Sequence, residues 1–526
     1  MASFIALPPE ILVEIMQYLD HLSLLRCSST CRSLYAVSTS SSRLLYIIAL
    51  GMSGMIDGGS HIPHLDLLSH VRDLRMGWEN IEWRQYYKIA IQEECLAYEL
   101  VGGVFALSDG IGLKIIYLPS ANKEPHTLER RPLGMIIKDF AIDPTQDLVA
   151  ILEDDLTPVS FGLQRRVHVH IRTISTNERH KLAAQDILSF TISPDPEYGN
   201  AMSSALLQLT DDLLAVFMAK GELFSAKCRA LIWNWQKGAL IYDSDGRTRI
   251  ECLPQHIKDF SLLSRTSFVL TSTLNSGALL IYSFPPSPST THTQKPKLVA
   301  SLHLPPIRPT YRVQRIGIHS APYHAHAPKD ASFYTSPDAG VQVVTITYAM
   351  DETNSPGSSS FSLFVHTRTL LGYTHGRQDS ETEGDGNGQA LALTRMSERE
   401  DVDIQWHQWG ETETRFFPIR TPIHWHRYVH GQRVVCCPSH SNIIDILDFN
   451  YNPHFNSVHR LQDLRPAPSL SYPSYLFQEG LVTRLPYYIS RRTIQDGFYA
   501  CMIDEERLIG LKMDDGNGME LHVYSF

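Results

Sequence analysis

The stretch that decides the fold of most of this chain is LIWNWQKGALIYD, residues 231–243. It contains two short apolar runs, Leu231–Trp235 and Ala239–Tyr242, separated by a turn. Short apolar runs bounded by turn residues are typical of β-strands joined in a hairpin. The stretch therefore predicts a strand, a turn and a second strand.

The same theme recurs along the chain from about residue 95, at intervals of roughly 55 to 92 residues. The first copy lies near residue 100. The equivalent points of the six following copies lie near Leu148, Leu213, Phe268, Val341, Arg433 and Phe498. Seven copies suit seven four-stranded blades, which close into a ring with little exposed sheet edge. We predict an irregular seven-bladed β-propeller over residues 95–526. A pair of large β-sandwiches is the structural alternative.

Two polar segments interrupt this pattern. Ser283–Lys297 is rich in proline, serine and threonine, and His375–Gln389 is polar and rich in glycine. Such composition predicts flexible insertions, near 283–297 and 375–400. The stretch 231–243 resembles the strand–turn–strand of WD-type repeats, with Asn234 where those repeats carry aspartate. The regular Gly-His and Trp-Asp dipeptides are absent elsewhere.

The first fifty residues have a different, helical period. Pro8 or Pro9 suits a first helical turn, and Ile11, Leu12, Ile15, Met16 and Leu19 form one apolar stripe. Ser23 is predicted to cap a second helix and Ser42 a third. Three short helices bury little surface, so such a module usually completes its core against a partner. A helical hairpin packed on the rest of the chain is the alternative.

The stretch LPPEILVEIMQYLDHLSLLRCSSTCRSLY, residues 7–35, resembles an F-box. The residues that match the family's pattern are Leu7, Pro8, Glu10, Leu12, Ile15, Tyr18, Leu19, Leu24, Leu25, Arg26, Cys31 and Arg32. The chain departs from the pattern at Leu34, where tryptophan is common. The whole layout resembles fungal F-box proteins in which a degenerate propeller follows the F-box.

This resemblance implies that the module binds a Skp-type adaptor and, through it, a cullin. The adaptor-binding residues implied are Leu7, Pro8, Ile11, Leu12, Ile15, Leu19, Leu24 and Leu25, although some of them must form the module's own core. We divide the chain into the F-box (1–50), a helical linker (51–94) and the propeller-like recognition domain (95–526). Trp78 and Trp83 are predicted to anchor the linker on the propeller.

Composition narrows the class of protein. The 526 residues carry a net charge of −10, and this acidic balance does not indicate nucleic-acid binding. The N-terminus lacks a basic region, so no signal peptide is expected, and the longest apolar run, Leu44–Met52, is too short to cross a membrane. Eight cysteines in so long a chain are best interpreted as reduced thiols. We expect a protein of the cytoplasm, the nucleus or both.

The sequence contains few candidates for chemistry. His424, His426 and His430 lie close together, but they have no evident third ligand for a metal. Cys436 and Cys437 would point to opposite faces of a strand, so they are poor joint ligands. Arginine pairs could bind phosphate or an acidic peptide, although solvated arginines are the commoner case. These pairs are Arg130-Arg131, Arg165-Arg166 and Arg491-Arg492.

We therefore predict no catalytic residue, metal or cofactor. The expected function is that of a non-catalytic substrate receptor in an SCF (Skp–cullin–F-box) ubiquitin ligase, whose propeller binds a protein target that the sequence does not identify. Neither nucleic acid nor membrane is an expected partner. Two alternatives stay open. One is an F-box scaffold acting outside a ligase, and the other is a propeller hydrolase or metal-dependent enzyme.

Overall fold

The computed structural model describes residues 4–120, 124–130, 132–154, 164–194, 202, 204–220, 227–245, 253–285, 295–323, 326–328, 331–350, 358–374, 403–418, 427–438, 441–451, 463–471, 475–513 and 518–526. Its α-helices are α1 (Pro9–Met16), α2 (His21–Thr30), α3 (Arg32–Ser40), α4 (Ser42–Met52), α5 (His64–Asn80), α6 (Thr367–Leu371) and α7 (Trp406–Glu413). Short 3-10 turns cover Phe4–Ala6, Pro144–Gln146 and Pro337–Ala339. The predicted insertions near 283–297 and 375–400 lie largely outside the described residues.

The strands follow in chain order. They are β1 (Met55–Asp57), β2 (Gln85–Ile91), β3 (Ala97–Val101), β4 (Val104–Ser108), β5 (Leu113–Tyr117), β6 (His126–Arg130), β7 (Ile137–Asp143), β8 (Leu148–Glu153), β9 (Arg165–Thr173), β10 (Ile187–Ile192), β11 (Ser204–Thr210), β12 (Leu213–Lys220), β13 (Lys227–Asn234), β14 (Ala239–Asp243), β15 (Ile257–Ser264), β16 (Ser267–Ser272), β17 (Ala278–Ser283), β18 (Lys297–His303), β19 (Tyr311–His319), β20 (Phe333–Thr335), β21 (Val341–Met350), β22 (Ser358–His366), β23 (Asp403–Ile404), β24 (Thr414–Pro418), β25 (Val429–His430), β26 (Arg433–Cys436), β27 (Ser441–Asp448), β28 (Leu464–Arg465), β29 (Ser469–Ser471), β30 (Leu481–Thr483), β31 (Tyr487–Phe498), β32 (Ala500–Ile503), β33 (Arg507–Met513) and β34 (Met519–Ser525).

These strands form the seven blades of a β-propeller, which confirms the predicted fold and excludes the β-sandwich alternative. From the inside outward, the blades are β3-β4-β5-β6, β7-β8-β9-β10, β11-β12-β13-β14, β15-β16-β17-β18 (extended by β23), β19-β21-β22-β24, β25-β26-β27-β31 (extended by β28) and β32-β33-β34-β2. All pairs within the blades are antiparallel except β18 with β23. Blades 1 to 7 below follow this order.

The last blade closes the ring with a strand from the N-terminal side of the domain. The strand β2 pairs with β34, from Gln85 opposite Ser525 to Ile91 opposite Met519. The linker predicted over residues 51–94 is therefore only partly helical, because it holds the end of α4 and all of α5 but also the strands β1 and β2. The alternating burial along β2 has the two-residue period of a strand.

Most of the repeat positions found in the sequence occupy the equivalent strand of their blades. Leu148, Leu213, Phe268, Val341 and Arg433 all lie in the second strand of a blade. Phe498 differs, because it ends β31, the fourth strand of blade 6. Blade 7 takes only three strands from the C-terminal part of the chain, so its second strand begins later, at Arg507.

The helical module differs from the prediction in three details. Asp20, not Ser23, caps α2, since its carboxylate accepts a hydrogen bond from the Ser23 amide at 3.0 Å. Ser41, not Ser42, caps α4. The predicted second helix is also divided, because Cys31 adopts an extended conformation between α2 and α3.

The turn between β13 and β14 is held by buried polar groups. Asn234 is fully buried, and its Nδ2 donates to Asp212 Oδ2 at 2.6 Å while its Oδ1 accepts from the Lys237 amide at 2.9 Å. The indole of Trp235 donates to the Asp211 carbonyl at 2.8 Å. Asn234 thus joins the turn between β13 and β14 to the turn between β11 and β12.

Replacing this asparagine is expected to destabilise blade 3. The variant Asn234→Ala removes two hydrogen bonds and leaves the Lys237 amide without this acceptor, so we expect a loss of about 2 kcal/mol in the free energy of unfolding. Urea denaturation measures it. Lys237→Ala is the matched control, since the backbone amide that Asn234 binds is retained. Equal stability of the two variants would contradict this role of Asn234.

Candidate functional site

The helical module has a small core of its own. Its buried residues are Leu12, Met16, Leu24, Leu34, Val37, Leu44 and Ile48. Leu12 and Leu24, two of the predicted adaptor-binding residues, are therefore directed inward and lack the surface that a partner needs. Leu7, Leu19 and Leu25 are half-buried and pack against the same core.

Other apolar residues of the module are directed outward. Ile11 and Ile15 are 46% and 44% exposed, and Tyr18, just beyond the end of α1, is 85% exposed. Positions i, i+4 and i+7 share one face of a helix, so these three side chains form a continuous strip, which we call the α1 surface. Pro8 is exposed at the start of the same helix. The α1 surface is therefore a candidate interaction site.

Sequence analysis missed part of this exposed set. Tyr18 matches the family pattern but was not among the predicted contact residues, and neither were Leu22, Tyr35, Phe4 and Ile5, which are also exposed. The spacing of Tyr18 from Ile11 was a usable signal, because seven residues complete two helical turns. Leu22 and Tyr35 lie on α2 and α3, whose exposed faces the sequence pattern did not separate from the buried ones.

The helix α4 joins this module to the propeller. Its Leu44 and Ile48 belong to the core of the module, whereas Tyr46 and Leu50 belong to a second core shared with blades 5, 6 and 7. The Tyr46 hydroxyl donates to Asp57 Oδ1 at 3.0 Å, and burial raises the pKa of this tyrosine. One helix thus packs on both domains and leaves no flexible hinge at this point.

Backbone and side-chain hydrogen bonds reinforce the connection. The strand β1 pairs with β20, which follows the first strand of blade 5. The Asn450 side chain, in blade 6, donates to the Met52 carbonyl at 2.8 Å. The Ser490 hydroxyl, in the same blade, donates to the Glu79 carbonyl at 2.7 Å.

Two tryptophans fasten the linker, which confirms their predicted role as anchors. The buried ring of Trp78 stacks on Phe526 at 4.1 Å between centroids, and its Nε1 donates to the Glu505 carbonyl at 3.0 Å. The Arg492 guanidinium lies 4.0 Å from the centre of the Trp83 ring. Arg492 also donates to the Ile81 carbonyl.

The arginine pairs have different environments. Arg491 forms a bidentate pair with Asp445, at 2.6 and 2.7 Å, and Arg492 holds the linker, so neither is placed to bind an external anion. Arg165 is buried and pairs with Asp154 at 3.1 Å, whereas Arg166 is exposed. Arg131 and the side chain of Arg130 lie outside the described residues.

The histidine cluster is resolved only at His430. Its Nε2 lies 3.2 Å from Glu505 Oε2, and Thr335 donates to the same carboxylate at 2.7 Å. Although burial alone would raise it, the pKa of Glu505 is lowered to about 2 by His430 and Thr335. His424 and His426 lie outside the described residues. Where the chain is described, no three histidine, cysteine or acidic side chains are grouped as a metal site would require.

The first strands of the blades line the central channel, and several carry charged residues. Glu99 lies on β3, Asp139 on β7 and Asp259 on β15, while Arg427 lies two residues before the first strand of blade 6. Arg427 donates through Nε and Nη2 to both carboxylate oxygens of Glu99. This ion pair joins blades 6 and 1 across blade 7.

One carboxylate of the channel, Asp259, also connects neighbouring blades, and Asp139 binds an amide of its own strand. Asp259 accepts from the Ile318 amide of blade 5 at 2.9 Å, and Asp139 accepts from the Phe140 amide at 2.9 Å. Burial and the nearby Glu99 carboxylate raise the pKa of Asp139 to about 7. Asp139 is therefore partly protonated near neutral pH.

This raised pKa predicts a pH-dependent effect of Asp139→Asn. The folded state holds the proton more tightly than the unfolded state does, so the ionised carboxylate lowers stability as pH rises towards 7. We expect the variant to be more stable than the native protein by about 1–2 kcal/mol at pH 8, allowing for screening by channel water. The gain should grow between pH 4 and pH 7 and then level off. Thermal unfolding across this range measures it, with the exposed Asp186→Asn as control. A gain independent of pH would contradict the assignment.

Comparisons with known proteins agree with this architecture. Residues 4–46 match the family model described as F-box-like. Among solved structures, the WD40 domain of SCAP from fission yeast is 11% identical over 84% of this chain and 94% of that one, with a TM-score of 0.30. The WD40 β-propeller domain of Doa1 is 9% identical over 84% of this chain and 97% of that one, with a TM-score of 0.31. A comparison with curated proteins finds no match.

At such low identities and scores, the propeller assignment rests on the strand order of this chain itself. The protein thus consists of an F-box-like domain followed by a seven-bladed β-propeller. This architecture is typical of non-catalytic adaptor and receptor proteins. In the described part of the chain, no helix combines the length and apolar character needed to cross a bilayer. The seven described cysteines are free thiols.

Proposed function

We propose that this protein is the substrate-receptor subunit of an SCF-type ubiquitin ligase. The observation that carries the proposal is the α1 surface of the F-box-like domain, where Ile11, Ile15 and Tyr18 are exposed although the module already has a core. A Skp-type adaptor would cover these side chains, together with Pro8, and would connect the protein to a cullin. Leu12 and Leu24 then support the surface from within.

The proposed mechanism is proximity. The propeller holds a protein target, and the shared helix α4 and the Trp78 anchor keep it in a fixed orientation relative to the adaptor. A target lysine then meets the ubiquitin thioester at a high effective concentration. In this proposal no residue of the chain takes part in the chemical step, and the protein acts in the cytoplasm or the nucleus.

We further propose a division of labour along the chain. Residues 1–50 bind the adaptor, the linker of residues 51–94 fixes the F-box-like domain on the propeller, and residues 95–526 recognise the target. The linker also supplies β2 to blade 7, so it is part of the folded propeller. A truncation that begins at residue 95 would remove this strand and open the ring.

Affinity purification of the full-length chain tests the proposal. We expect both the Skp-type adaptor and a cullin to be recovered with the native protein. Recovery of the adaptor without any cullin would support the scaffold alternative and contradict a role in a ligase. Recovery of neither would contradict the docking function itself.

A further inference from the structure

The third strand of blade 2 carries an unusual row of basic residues. Along β9, the side chains of Arg166, His168, His170 and Arg172 occupy alternate positions, while the residues between them are buried. Alternate residues of a strand lie on one face of the sheet. These four side chains, the blade-2 basic face, are therefore directed to the same side.

The row is only partly covered, with Arg166 exposed and the other three side chains half-buried, because the packed interface between blades 1 and 2 ends one strand earlier. Val149 and Ile151 of β8 belong to the apolar core between these blades, and they lie opposite Arg172 and His170 of β9. Beyond them, the side of blade 2 that faces blade 1 becomes polar. In blade 4 the corresponding strand, β17, instead carries the apolar side chains of Leu280 and Tyr282, which pack against the core between blades 3 and 4.

The neighbouring edge strand adds hydroxyl groups to this face. On β10, Ser189 lies opposite His168 and Thr191 lies opposite Arg166. The Ser189 hydroxyl is 2.8 Å from His168 Nδ1. No further strand pairs with β10 in the described part of the chain, so its outer edge is open.

Among the described residues, one carboxylate, Glu153, contacts the row. Glu153 Oε2 lies 3.0 Å from His170 Nε2, and Arg172 Nη1 donates to the amide oxygen of Asn177 at 3.4 Å, a neutral partner. Arg166 is exposed. Two permanently charged guanidinium groups therefore stand about 20 Å apart at the ends of the row, given the rise of about 3.3 Å per residue in a strand.

We propose that the blade-2 basic face binds an extended acidic segment of the protein target. The side chains of an extended peptide repeat every second residue, at about 6.6 Å, which matches the spacing of the basic row. Carboxylates at alternate positions would face the arginines and histidines, and Ser189 and Thr191 would donate hydrogen bonds. Arginine forms charge-assisted, bidentate hydrogen bonds with such anions.

A peptide fits this face better than a nucleic acid does. The basic row is a single strand long, whereas the protein as a whole carries a net charge of −10 and would repel an extended polyanion. The face also lies across the ring from blades 5 and 6, two of the three blades whose core packs against α4 and α5. The inference rests on the proposed function in that it assigns the place of target capture.

The test is fluorescence anisotropy with the full-length protein and a labelled nine-residue peptide that alternates glutamate with serine. We expect binding that Arg166→Glu combined with Arg172→Glu weakens at least tenfold. The control combines Arg315→Glu with Arg484→Glu, two exposed arginines outside blade 2, and should bind as the native protein does. A peptide of the same composition with its glutamates in one block should bind several-fold more weakly.

Three results would overturn the inference. They are no binding of the alternating peptide, equal loss in the blade-2 and control variants, and equal or tighter binding of a single-stranded RNA nonamer. Adaptor binding is measured on the same preparations. Retained adaptor binding without peptide binding would refute only this inference, whereas the reverse result would refute only the docking function.

Discussion

Replacing Ile11 and Ile15 together by aspartate is expected to reduce binding of a Skp-type adaptor at least a hundredfold without unfolding the protein. Both side chains are nearly half exposed on α1 and contribute little to the core of the module. An adaptor that covers them would have to bury two unpaired carboxylates, and each such group costs about 2 kcal/mol or more. Calorimetric titration measures the change in affinity.

Two further variants separate docking from folding. Leu274→Asp places the same charge on an apolar residue that is 54% exposed on blade 4, and it should leave adaptor binding unchanged. Leu24→Asp places the charge in the buried core of the module and should unfold it. If the Ile11 and Ile15 variant bound as tightly as the Leu274 variant, the α1 surface would not be the docking site.

The second large effect is expected at Trp78. The variant Trp78→Ala removes a fully buried indole, its stacking on Phe526 and its hydrogen bond to the Glu505 carbonyl. Truncating a buried tryptophan typically lowers stability by about 3–5 kcal/mol. We expect a lower midpoint in urea and faster proteolysis of the segment between α4 and β2, because the linker loses its main anchor.

A graded series distinguishes anchoring from general damage. Trp78→Phe keeps most of the stacking and loses the hydrogen bond, so it should be destabilised less, by about 1–2 kcal/mol. Trp83→Ala removes a half-buried ring at the rim of the same contact and should also have a smaller effect than Trp78→Ala. A loss below about 1 kcal/mol for Trp78→Ala would contradict the anchoring role.

Much of the fold follows from local pattern. The stretch 231–243 predicts a strand, a turn and a second strand because its apolar runs lie on either side of a turn. Similar pairs of apolar runs recur in every blade. Five of the six repeat positions fall in second strands, which are the buried centres of their blades. The same periodicity on α1 predicts the stripe that contains both buried Leu12 and exposed Ile11.

Other features depend on contacts that are distant in sequence. No local signal shows that β2 pairs with β34, more than four hundred residues away, and so the prediction of a helical linker does not include this strand. The division of α4 between two cores likewise depends on what packs on each side. For the proposed adaptor-binding residues, a single apolar stripe does not reveal which side chains form the module's own core. The local sequence also does not show that the packed interface between blades 1 and 2 ends at β8, which leaves the basic row of β9 partly uncovered.

The most direct test is a calorimetric titration of the full-length protein with a purified Skp-type adaptor. The account predicts a one-to-one complex that also co-elutes in gel filtration and that the variant with Ile11→Asp and Ile15→Asp fails to form. Absence of binding by the native protein, or equal binding by that variant, would contradict it.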